Sequence, residues 1–103
     1  MYLAQVVGVV VATKKDSAME GRKLLVLRPV VADNKNPASL KELDTTFIAV
    51  DSVGAGEGEL VLFCQGSSAR LAPGLKQAPV DAVIIGIVDT VDILGKKVYT
   101  TRK

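Results

Sequence analysis

Apolar and β-branched residues run along this chain in short bursts bounded by Gly, Pro, Asn and Asp. Apolar residues at helical spacing are scarce, so the pattern predicts strands throughout. The bursts place strands at residues 2–13, 23–31, 46–50, 59–65, 80–94 and 97–100. Residues 14–21 and 32–44 read as polar connections, and Leu94-Gly95-Lys96 as a tight hairpin turn. The segment from Pro37 to Leu43 is expected to form one helical turn, with the proline near its start. A second turn is expected from Ser67 to Leu71, with a serine as N-cap. There is neither an internal repeat nor a low-complexity segment.

Several of these strands are apolar on both faces. In the first, Leu3, Val7, Val9 and Val11 alternate with Ala4, Val6 and Val10; in the fifth, Val83, Ile85, Ile87, Val91 and Ile93 alternate with Val80, Ala82, Ile84 and Val88. Helices cover the second face in parallel α/β sheets, but this sequence has almost none to offer. A compact monomer of this mass exposes roughly 5,500 Å². Two long apolar faces left in water exceed the few hundred Å² that monomers usually tolerate. An obligate oligomer is therefore expected; the alternative is a small closed barrel whose own loops cover both faces.

Two loop segments carry the most specific signal: Asp51-Ser52-Val53-Gly54-Ala55-Gly56-Glu57-Gly58-Glu59 and Gly66-Ser67-Ser68-Ala69-Arg70. They resemble the D-x-V-G-A-G-x-G-E turn and the G-S-S-A-R loop of the EutN/CcmL family of bacterial microcompartment vertex proteins. Leu3-Ala4-Gln5-Val6-Val7-Gly8 and Gly21-Arg22-Lys23-Leu24-Leu25-Val26 are similar to the family's first strand and its G-x-K-L-L-V strand. Pro79-Val80-Asp81-Ala82 and Gly86-Ile87-Val88-Asp89-Thr90-Val91-Asp92 resemble its P-x-D-A and G-I-V-D-x-V-D segments. One departure is Arg28, where the family commonly has glutamine.

The resemblance implies an all-β fold: one domain over residues 1–103, forming a small five-stranded OB-like β-barrel with short helical turns in its loops. It implies a homo-oligomer, a pentamer, that caps the five-fold corners of a shell whose facets are hexameric shell proteins. Gly66, Ser67 and Ser68 are then expected near the five-fold axis or pore, where close approach favours small residues. Val53, Gly54, Ala55, Arg70 and Asp89 are expected at the subunit interface, and the planar fork of Arg70 suits a carboxylate or carbonyl across that boundary. The implied location is the shell of a compartment in the cytoplasm.

Composition argues against chemistry. The 103 residues contain no histidine and one cysteine, Cys64, so the commonest general base is missing and no zinc or iron-sulfur site is expected within the chain. Cys64 sits in an apolar run and reads as a small buried hydrophobe in a reducing compartment. Asp81 and Asp89, on one face of a continuous strand, would lie roughly 26 Å apart, too far to share a proton. Gly66-Ser67-Ser68-Ala69-Arg70 approaches a nucleophile elbow but has arginine at its last glycine position and no histidine partner. Gly54-Ala55-Gly56-Glu57-Gly58 mimics a dinucleotide loop but leads into a strand, beside two glutamates. No catalytic residue, metal or cofactor is expected.

The alternative from another class is an OB-fold module for single-stranded nucleic acid. Such surfaces stack bases on aromatic rings over a positive groove. A net charge of +2, with two Phe, two Tyr and no Trp, offers little of either. No apolar stretch reaches the roughly 20 residues that span a bilayer. The N-terminal run lacks a basic flank and a cleavage site, so neither a membrane partner nor a signal peptide is expected.

Overall fold

A computed structural model describes residues 1–13, 17, 21–33, 35–36, 38–66 and 81–101. The strands among them are β1 (Tyr2–Val10), β2 (Lys23–Ala32), β3 (Leu40–Glu42), β4 (Phe47–Asp51), β5 (Leu60–Gln65), β6 (Ala82–Ile87), β7 (Thr90–Ile93) and β8 (Lys96–Thr100). Hydrogen bonding runs in the order β1-β5-β6-β4-β2, and an additional β1–β2 pairing closes the ring into a five-stranded barrel. Four of the five seams are antiparallel, and the parallel one joins β4 to β6 through Val50↔Val83 and Asp51↔Ile84. Closure removes the free edges that invite unwanted strand pairing.

Residues opposite one another in register share a face, and this sorts the barrel interior. Ala4 faces Val61, Val6 faces Leu27, Leu25 faces Ala49 and Phe63 faces Ile84. All eight are buried and belong to one cluster with Ala55 and Ala82, against which Phe47 packs. Phe63 is its largest member; Phe47 lies 4.8 Å from it, tilted, and Tyr2 stacks at 5.4 Å. The strand alanines opposite larger residues fill a narrow interior in the small-against-large manner of small barrels. Val30, Val50, Leu60 and Val83 are also buried but lie outside this cluster.

The structure revises three of the expectations. The segment Leu40–Glu42 is a strand, not part of a helical turn; β4 pairs with β2 only as far as Leu27, and β3 covers the vacant edge at Val30–Ala32. Backbone groups on that edge need partners, and this need overrides a weak local helical preference. Residues 80–94 are not one strand either. At the end of β6 the Val88 amide turns to the Leu60 carbonyl, and β7 joins a separate two-stranded sheet with β8. The calculated separation of Asp81 and Asp89 therefore loses its basis in a single strand. In β1, a register shift between Val6 and Gly8 places Val9 opposite Leu25, so one alternation does not run through the strand. The tight turn is present: Leu94 and Gly95 have φ of 52° and 76°, the pair of positive values that a two-residue type I′ turn needs. The turn expected from Ser67 to Leu71 lies outside the described residues.

Candidate functional site

The glycine-rich segment after β4 lies against the barrel, and Asp51, Ser52 and Glu59 of its motif each have a role there. The Asp51 carboxylate accepts hydrogen bonds from the amides of Val53 and Gly54, at 3.0 and 3.1 Å, fixing the chain's exit from β4. Ser52 donates its hydroxyl to the Ile84 carbonyl at 2.6 Å, tying the exit to β6. Glu59 reaches back to the Gly56 amide at 2.7 Å, and its own amide donates to the Gly56 carbonyl. These local side-chain bonds replace the ladder that the backbone loses on leaving the sheet.

β1 and β2 hold the same loop from outside. The Gly58 amide donates to the Val6 carbonyl and the Val6 amide to the Glu59 carbonyl. Gln5 donates from Nε2 to the Gly58 carbonyl at 2.6 Å, and the Lys23 ammonium donates to the Ala55 carbonyl at 2.6 Å. Between these ties the Ala55 methyl enters the core cluster and is completely buried. Gly54 and Gly58 hold φ of +83° and +88° with open space where a Cβ would stand. There the requirement for glycine is conformational, not steric. Gly58→Ala is expected to cost about 1–2 kcal/mol through its backbone alone. Asp51→Ala is expected to cost about 0.5–1.5 kcal/mol by handing two exposed amides from the carboxylate to water. Urea denaturation of each variant checks both values, and an unchanged midpoint for Asp51→Ala would show that the two amide bonds do not hold the loop.

Ala55, on the loop expected at a subunit interface, turns its methyl into the core of its own chain. Val53 and Gly54 are exposed on the outer side of the same loop, and Asp89 is exposed at the base of β7. Gly66 follows β5 with φ of +72°, and its amide donates to the Asp81 carbonyl at 2.7 Å, bringing residues 66 and 81 together. Ser67, Ser68 and Arg70 lie outside the described residues. The motif's visible side-chain contacts serve the subunit's own fold. Gln5, Lys23 and Ser52, which clamp the loop, were not singled out from the sequence. The available signal was a glutamine within an apolar strand and a lysine at the start of another.

No group of three or more Cys, Asp or Glu side chains that could hold a metal ion occurs among the described residues. The carboxylates of Asp51 and Glu59 are engaged by backbone amides. Phe63 and Phe47 face the core, leaving no ladder of exposed rings of the kind that stacks bases.

Comparison with known proteins points the same way. The family model described as ethanolamine utilisation protein EutN/carboxysome matches residues 1–89. The shell vertex protein PduN of Salmonella typhimurium is 50% identical over 90 residues, covering 87% of this chain and 97% of PduN. The solved structure of CcmL from Gloeobacter violaceus superposes with a TM-score of 0.85 at 40% identity, covering 97% of both chains. The structure of GrpN from Rhodospirillum rubrum, described as a pentameric microcompartment shell protein, gives 0.73 at 42% identity, covering 89% of this chain and 96% of that one. With its barrel, its clamped loop and a family match across residues 1–89, this chain belongs to the EutN/CcmL family of microcompartment shell vertex proteins.

Proposed function

We propose that five copies of this chain form a ring that closes the five-fold vertices of a bacterial microcompartment shell in the cytoplasm. The observation that carries this reading is the likeness, over nearly the whole chain, to shell vertex proteins, one of them described as pentameric. The role is geometric, because a flat hexagonal sheet closes into a polyhedron only if five-fold points are introduced. Hexameric facet proteins are the partners that such a vertex meets, and no catalytic step or cofactor is part of the role.

Physical features of the subunit favour association. It exposes 6,638 Å², against roughly 5,500 Å² for a compact monomer of its mass. Val7, Val9, Val11, Val31, Ile48 and Ile87 are all more than a third exposed. Arg28 has its Nε buried with no hydrogen-bond partner. Buried donors are almost always paired, so an acceptor from a neighbouring subunit would answer it. In this reading Val53, Gly54 and Asp89 line the boundary between subunits with Arg70. Gly66, Ser67 and Ser68 surround the central opening.

Native mass tests the proposal. A particle of about 54 kDa, five chains of 10.8 kDa each, is expected to persist through a dilution series followed by light scattering. A monomer at micromolar concentration would overturn the reading.

A further inference from the structure

One end of the barrel is incompletely walled. β4 begins at Phe47, but its pairing with β6 starts only at Val50↔Val83, so the first residues of β4 have no neighbour on that side in the sheet. At this end lies a cavity of about 670 Å³, lined by Tyr2, Phe47 and Ile48 together with Gln65, Asp81 and Ala82. That volume falls within the roughly 300–1,000 Å³ of small-molecule sites.

Two aromatic rings and one carboxylate give the cavity its chemistry. Tyr2 stacks on Phe63 at 5.4 Å and 28° yet is 56% exposed, so one face of its ring is covered and the other is open. Phe47 leans on the same Phe63 ring, whose burial holds both in place. The face of an aromatic ring carries the negative part of its quadrupole. Asp81 is pinned through its backbone, where its carbonyl accepts the Gly66 amide at 2.7 Å. Its carboxylate has neither a hydrogen-bond nor an ionic partner among the described residues, in contrast to Asp51 and Glu59, which are engaged by backbone amides. The described residues that line the cavity include no lysine or arginine.

We infer that this cavity binds a small aliphatic ammonium ion, its charge held between the two rings and Asp81 and its alkyl groups set against Ile48, which is 50% exposed. Cation–π attraction and charge attraction to the carboxylate then act on the same ligand atom. An anion is repelled by both, and a neutral molecule of the same shape keeps only the apolar contact. Because Phe63 already fixes the rings, little side-chain freedom is lost when the ligand enters. The site lies within one subunit and stands apart from the vertex reading. In the ring of that reading, five such cavities sit beside Gly66 and the central opening, where they concentrate cations over anions.

The test titrates the full chain with tetramethylammonium chloride and follows the amide and ring proton shifts by nuclear magnetic resonance. tert-Butanol serves as the neutral probe of similar shape, and sodium chloride controls for ionic strength. Saturable shifts are expected at Tyr2, Gln65 and Ala82 with tetramethylammonium alone, with a dissociation constant of about millimolar order. Asp81→Asn keeps the shape and removes the charge, and is expected to weaken binding about threefold or more. Tyr2→Leu keeps an apolar side chain over Phe63 and is expected to weaken it by a similar factor. Circular dichroism reports whether each variant keeps its barrel; if Asp81→Asn does not, the comparison of probes on the unmodified chain decides alone. Equal saturable shifts with tert-butanol, or unchanged binding by a folded Asp81→Asn variant, overturn the inference, because the cavity is then merely apolar. The absence of any saturable shift overturns it as well. A chain that binds the probe but is not a pentamer refutes the vertex reading and leaves the cation site standing.

Discussion

Phe63→Ala is expected to lower subunit stability by about 3–5 kcal/mol, the usual cost of deleting a buried aromatic ring. Phe63 is the largest fully buried side chain, 2% exposed, and contacts rings on two other strands, Tyr2 on β1 and Phe47 on β4. The closed barrel cannot collapse around the vacancy without breaking a seam, so relaxation recovers little. Domains of this size have about 5–15 kcal/mol in total, and the loss therefore takes a large share. The measurement is a urea or thermal unfolding curve at several protein concentrations, because assembly makes apparent stability depend on concentration. A loss below about 1 kcal/mol would mean that the interior repacks as a fluid core does, contrary to the close packing of folded proteins.

Ala55→Asp is expected to be nearly as damaging, by a different route. Its methyl is completely inside the core cluster, on a loop whose carbonyl is already held by Lys23. A carboxylate there either is buried, at a cost of several kcal/mol, or pulls the loop out of the barrel end. Both outcomes expose the apolar interior and are expected to lower the unfolding midpoint sharply and raise binding of a hydrophobic dye. The control is Val53→Asp, two residues earlier on the exposed side of the loop, which is expected to leave unfolding of the subunit almost unchanged. Equal tolerance of both substitutions would show that the loop is not part of the core.

The contrast between Val53 and Ala55 marks how far the sequence could be read. The motif around them was legible as a family signature, and its glycines as turn positions, because positive φ at Gly54 and Gly58 is a local demand. Which of its residues faces inward was not legible. That depends on Gln5 and Lys23, distant in sequence, pulling the loop onto the barrel. The same limit applies to Leu40–Glu42, where the vacant edge of β2 decides the conformation, and to residues 80–94, where uniform alternation conceals a change of sheet at Val88 and Asp89.

The chain by itself determined an all-β class, its main strands, the turn at Leu94 and Gly95, and membership of a vertex-protein family. These follow from short-range preferences, from period-two patterning and from ordered motifs, each carried within a few residues. Tertiary structure alone decided which pair, β1 and β2, closes the expected barrel, the burial of Ala55, the role of β3 and the break of residues 80–94 into β6 and a separate β7–β8 sheet. Each of these depends on hydrogen bonds or apolar contacts between residues far apart in the chain, whose partners no local pattern names.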